Sequence, residues 1–194
     1  MRHKKENQSI PHFHLAHPKP TPPIPVARKF WQNSEITTTV SSFIPRPNLD
    51  LIDLLLGEHA SLLTLFRYYE NTLATLDIGG LRAAGGVLEA VLMAHAIDED
   101  GLLFNALKTA EGGVRETLDA MCDEHNELRR LLDDLPSIKD VTRARGQVRT
   151  VLELAREHFA VEERILFGLA RRVLPQQNLS TLGGEYARRR GLCA

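Results

Sequence analysis

The sequence predicts an all-α fold: an up-down-up-down antiparallel four-helix bundle preceded by a disordered, proline-rich N-terminal tail. Three observations predict it. Four apolar-periodic stretches follow one another from Asn48 onward, separated by glycine or proline turn signals. The connections are short, which makes neighbouring helices antiparallel. Eight of the ten prolines fall within residues 1–48, a density that blocks helix and central strand and favours extended or disordered chain.

The tail, residues 1–48, holds seven Lys/Arg against two Asp/Glu and is basic. Its His12, His14 and His17 offer at most a weak metal site, and a solvated, flexible segment is the expectation. The bundle spans 49–175. Its first helix is expected over 49–76, stopped by Asp77-Ile78-Gly79-Gly80, and its second over 81–110, stopped by Glu111-Gly112-Gly113. The third is expected over 114–135, before Pro136, and the fourth over 141–174, before Pro175. Residues 176–194 read as a C-terminal tail, with Arg188, Arg189 and Arg190 solvated.

A chain of 194 residues, 43% of them hydrophobic, buries a sizeable core. The net charge of −1 argues against a nucleic-acid partner. Cys122 and Cys193 are the only cysteines; two make neither a disulfide framework nor a cysteine-based zinc site, and they suit a reducing compartment. There is no uninterrupted apolar run of about 18 residues and no apolar stretch near the N-terminus, so neither a membrane helix nor a signal peptide is expected. A cytoplasmic location with no membrane partner follows as the expectation.

Function is written in the histidines. Four of the eight lie in the tail; the others fall one per helix, at His59, His95, His125 and His158. On the fourth helix Val151, Leu152, Ala155, His158, Glu162, Ile165, Leu166 and Leu169 form one stripe at three-and-four spacing, apolar except for His158 and Glu162. The second helix repeats this with Leu88, Val91, Leu92, His95, Glu99, Leu102, Leu103 and Ala106. A histidine and a glutamate four residues apart point at one place, here the core. Two facing buried carboxylates are costly without a partner, and a dication between them removes the conflict. Any one of these histidines alone is ordinarily a satisfied core or surface residue; the concurrence of all of them is the signal.

The pattern occurs twice. Glu58-His59-x-x-Leu62 precedes His95-x-x-x-Glu99-Asp100-x-Leu102-Leu103-Phe104, and Glu124-His125-x-x-Leu128 precedes His158-x-x-x-Glu162-Glu163-x-Ile165-Leu166-Phe167. Over residues 50–172 this resembles the hemerythrin-like, or HHE cation-binding, family. The resemblance implies a di-iron centre, with His59 and His95 on one iron, His125 and His158 on the other, and Glu99 and Glu162 bridging. Manganese and zinc accept the same donors; the resemblance is what selects iron. A ferritin-like site would order its motif Glu-x-x-His and bring glutamates from the other helices, so it fits less well.

The resemblance further implies a binding module for O2, NO or iron itself, acting as sensor, scavenger or store. The alternative is a di-iron enzyme, oxidase- or peroxidase-like or engaged in iron–sulfur centre repair. The repair relatives carry a cysteine motif in an N-terminal domain, whereas this tail has no cysteine. One departure counts against reversible oxygen carriage. Oxygen-carrying relatives place two histidines four apart on the third helix, but Met121 and Arg129 flank His125 at that spacing. The acidic residues beside the ligands, Glu58, Asp98, Glu124, Glu157 and Glu163, are expected to face solvent, the alternative being that one or two of them orient a histidine. Cys122 is expected to be a small buried hydrophobe rather than an oxidation sensor.

Overall fold

A computed structural model describes residues 49–110 and 114–192. The proline-rich tail with His12, His14 and His17, the stop at Glu111-Gly112-Gly113, and Cys193 lie outside the described residues. The described chain is all helical, with α1 (Leu51–Thr72), α2 (Ile78–Glu99), α3 (Asn105–Ala110), α4 (Arg115–Asp134), α5 (Val141–Val161), α6 (Phe167–Val173) and α7 (Gln176–Arg189). A π-helical turn, Asp100–Phe104, carries α2 into α3, and a second, Glu162–Leu166, carries α5 into α6.

Aspartate caps start three of the helices. Asp50 and Asp53 form a reciprocal capping box on α1. Asp77 accepts from the Gly80 N–H at 2.8 Å, and Asp140 accepts from the Arg143 N–H at 2.7 Å. The Asp77 cap corrects the sequence reading. Ile78-Gly79-Gly80, taken as part of a stop, is the first turn of α2, because the aspartate side chain satisfies an otherwise orphaned backbone donor.

Helices α1, α2, α4 and α5 pack on one another as a helical bundle. Their inward stripes divide into two apolar clusters. One runs from Leu62, Phe66 and Leu92 to Leu128, Leu152 and Phe159. The other gathers Leu51, Leu55, Leu103, Phe104, Leu118, Met121 and Leu166. On every one of these helices the histidine lies between the two clusters: His59 between Leu55 and Leu62, His95 between Leu92 and Leu102, His125 between Met121 and Leu128, His158 between Ala155 and Leu166. A polar layer thus cuts the core at one level.

Residues Ile78–Ala110 form a 33-residue helix that by length and composition is apolar enough to cross a membrane. The sequence reading did not anticipate this, because the polar residues interrupting the segment had broken the apolar run. Its α2 part packs on α1, α4 and α5 and carries buried His95, Asp98 and Glu99.

The segment read as a C-terminal tail is helix α7, which packs on α1. Leu179, Gly183 and Tyr186 form its buried face. Gly183 is what permits the close approach: a Cβ there would meet the Asp50 carbonyl carbon, the Leu49 carbonyl oxygen and the Leu51 nitrogen, each at 2.9 Å. These are backbone atoms at a capped helix start and cannot swing aside. Gly183→Ala is therefore expected to destabilise the fold by about 1–3 kcal/mol, measured by urea unfolding of the full chain. Gly184→Ala, where a Cβ meets nothing, serves as the control.

Candidate metal centre

All six side chains singled out in the sequence meet in the polar layer. His59, Glu99 and Glu162 are 0% exposed, His95 and His158 1%, and His125 3%. Their donor atoms form two groups of four within 4.8 Å: His59, His95, Glu99 and Glu162 in one, and His125, His158, Glu99 and Glu162 in the other. Both groups contain both glutamates. Within them His59 Nε2 lies 3.5 Å from Glu162 Oε2, His95 Nε2 3.4 Å from Glu99 Oε2, and His125 Nε2 3.9 Å from Glu99 Oε2.

Each imidazole is held from behind. Nδ1 of His59 bonds Glu163 Oε1 at 2.9 Å, that of His95 bonds Glu58 Oε2 at 2.9 Å, that of His125 bonds Asp100 Oδ1 at 3.1 Å, and that of His158 bonds Glu124 Oε2 at 2.7 Å. A carboxylate accepts, so each Nδ1 carries a proton and each ring turns its Nε2 to the centre. The expectation that the flanking acids face solvent fails for Asp98, which is buried, and for Glu58 and Glu124, which are half-buried; Glu157 and Glu163 are exposed, Glu163 while bonding His59. Asp98 pairs instead with Arg189 and Arg190, and among the described residues Glu157 alone of the flanking acids makes no ion pair. Asp100 escaped the sequence reading, although the parallel doublets Glu99-Asp100 and Glu162-Glu163 signalled it. Both doublets sit at the start of a π-helical turn, whose wider winding accompanies two successive carboxylates serving one layer.

Phenylalanines fix the ring planes. Phe104 stacks on His125 at 5.9 Å and 6°, and Phe167, its counterpart in the repeat, on His59 at 5.5 Å and 28°. Phe159 also stacks on His59, at 4.0 Å and 11°. Phe66 and Tyr69, which continue the His59 face, belong to the Leu62 cluster as packing residues. Cys122 is half-buried and its thiol donates to Asp100 at 3.6 Å. Burial and the Asp100 charge push that thiol up to about 11, so it is a poor nucleophile at neutral pH.

The layer is unsatisfied as protein alone. Both oxygens of Glu99, both oxygens of Glu162, and Nε2 of His125 and His158 are buried without a hydrogen-bond partner. His158 Nε2 stands 2.9 Å from Glu162 Oε1, but off the line a hydrogen bond requires. His59 Nε2 and His95 Nε2 face one another at 3.1 Å, so a cation, proton or metal, has to relieve two converging lone pairs. Electrostatics agrees. Burial alone would lower His95, yet its bond to Glu58 and the adjacent Glu99 carboxylate raise it to about 9. Burial would raise Glu99, yet His95 holds it at about 2. Burial and the neighbouring Glu99 charge push Glu162 well above the usual carboxylate range. Burial and the nearby His125 push His158 down to about 3. Buried orphan acceptors converging from α2, α4 and α5 fit a cationic group and little else.

Fold and layer together define a helical-bundle metal-binding module whose donors are imidazole and carboxylate. The model of the hemerythrin HHE cation binding domain matches residues 50–170, and the chain belongs to that family. No curated protein and no solved structure matches the chain.

Proposed function

We propose that this chain is a non-haem di-iron module with its bundle helices in up-down-up-down order, serving in the cytoplasm as a sensor, scavenger or store that meets O2, NO or iron itself. The observation that carries the reading is the pair of four-donor groups sharing Glu99 and Glu162. That arrangement supports one ion beside His59 and His95, a second beside His125 and His158, and both carboxylates as bridges. The short connections at 73–77 and 135–140 support the alternating helix order. Imidazole with carboxylate suits iron, manganese or zinc, and family membership favours iron.

Bound iron would supply a redox couple and open positions for a small diatomic molecule. The chain's own residues do the rest. Glu163, Glu58, Asp100 and Glu124 keep the four Nδ1 protons in place. Leu55, Leu62, Leu92 and Phe159, all buried, keep bulk water from the layer. Every acid beside the ligands except Glu157 is already engaged with a histidine or an arginine, which leaves no free general base at the centre among the described residues. This favours a binder over an enzyme acting on an organic substrate, the alternative reading.

Protein reconstituted with Fe(II) under argon is expected to show a rapid absorbance change on mixing with O2 or NO in a stopped-flow instrument. It should reach a stable endpoint within one turnover. Continued multiple-turnover oxidation of an added phenol or thiol would move the protein to the enzyme class. Inertness towards both gases would leave the metal a structural role.

A further inference from the structure

The two halves of the repeat are alike in sequence but are not supported alike. Glu58 and Glu124 hold corresponding places: each precedes a histidine and each accepts from the Nδ1 of the next histidine along the chain, Glu58 from His95 and Glu124 from His158. Only Glu58 is itself gripped. The Tyr186 hydroxyl donates to its Oε2. The Arg190 guanidinium lies 3.0 Å from its Oε1 and 3.2 Å from its Oε2. Arg190 is fixed in turn by Asp98 at 2.8 Å and stands 5.3 Å from the Tyr186 ring centroid. Among the described residues no arginine or tyrosine bonds Glu124, Glu163 or Asp100. Tyr186 is 3% exposed, so its hydroxyl needs a buried acceptor, and Glu58 is that acceptor.

These two residues lie beyond the stretch matched by the family model, residues 50–170. They are delivered by α7, and α7 is seated by the close backbone approach at Gly183 and by Gln176, which donates to the Asp50 cap at 3.1 Å. The C-terminal helix therefore places a tyrosine and an arginine against the one carboxylate that orients His95.

We propose that Tyr186 and Arg190 are positioning residues that lock Glu58 onto His95, so that the His59/His95 half of the centre is preorganised and binds its metal more tightly than the His125/His158 half. The first part concerns His95 alone; the inequality of the halves rests on the two-metal reading above. An outer partner that fixes a ligand's tautomer and direction is worth about 10–100-fold in metal affinity. A fixed Glu58 confers that gain on one half only.

The test has two arms. In metal-free full-length protein, the His95 Nδ1 proton, followed by long-range nitrogen–proton NMR, is expected to exchange slowly. Tyr186→Phe combined with Arg190→Gln should speed that exchange at least tenfold and leave the His158 Nδ1 proton unchanged. Arg190→Lys, which keeps the charge, should restore part of the protection. Unchanged His95 exchange in a folded variant, or equal speeding at His95 and His158, would overturn the positioning role. In the second arm Fe(II) is titrated anaerobically against a competing chelator. Two unequal steps are expected for the natural chain, and the double variant should weaken the tighter one by about tenfold while sparing the other. Two steps that shift together, or neither shifting, would overturn the inequality. Fewer than two ions bound by the natural chain would refute the two-metal reading, with the first arm still deciding the role of Tyr186 and Arg190.

Discussion

Replacing Glu162 by alanine is expected to release both metal ions, not one, and Glu99→Ala should do the same. Each carboxylate stands in both four-donor groups, so one deletion takes a donor from each ion and removes negative charge shared by two dications. The loss should exceed the roughly 10–100-fold that follows removal of an outer partner, because a ligand itself is gone. His59→Ala is the informative contrast: His59 belongs to one group only, and its loss should weaken one ion while the other remains. The folded state should survive the glutamate variants. Both Glu162 oxygens are buried without hydrogen-bond partners in the metal-free protein, so the substitution removes an unsatisfied acid along with its side-chain volume. Elemental analysis and chelator competition on the three variants check this. Loss of a single ion in all three would remove the bridging assignment.

The site was more legible in the sequence than its support. His59, His95, Glu99, His125, His158 and Glu162 interrupt otherwise apolar stripes, and helical periodicity brings interruptions on one face to one level whatever the details of packing. Periodicity failed one position away. Glu58, Glu124 and Glu163 flank the stripe and so read as solvated side chains, and Asp100 goes unread. In a bundle those flanking positions lie at the seams between helices, where a side chain from one helix reaches the ring on the next. Glu58 precedes His59 in sequence but serves His95. The π-helical turns at Asp100 and Glu162 could not be foreseen from a 3.6-residue template, and they change which residues share a face. Helix α7 is hidden in the sequence because Pro175 reads as the end of the fold. Yet proline commonly opens a helix, and the spacing Leu179, Gly183, Tyr186 is that of a buried helical face. Asp77 shows the same effect on a smaller scale: two glycines after an aspartate look like a turn until the aspartate is seen to cap the helix that contains them.

Metal binding is expected to expel at least the second His95 proton at pH 7, and its affinity to climb with pH. In the metal-free layer His95 is raised to about 9 by Glu58 and Glu99, so at neutral pH it carries a second proton, directed at Nε2. Glu162, pushed up by burial and by the Glu99 charge, binds its proton more tightly than an ordinary carboxylate. A proton on either group occupies an atom that a metal needs, so a dication has to displace it. The sign follows: raising the pH removes competitors, and affinity rises up to about pH 9, where His95 loses its proton unaided. With the His95 proton displaced the apparent affinity should change roughly tenfold per pH unit near neutrality. On the acid side His158 gives the fold its own limit. Its folded-state value near 3 lies below the ordinary 6.5, so the unfolded chain takes up a proton that the folded chain refuses. Stability of the metal-free protein therefore falls as pH drops from 6.5 towards 3. Calorimetric titration of metal-free protein with Zn(II), a redox-inert probe, in two buffers of different ionisation enthalpy counts the released protons directly. A heat that is the same in both buffers would mean that neither His95 nor Glu162 holds a displaceable proton, and that the cation between the His59 and His95 nitrogens at 3.1 Å is something other than a proton.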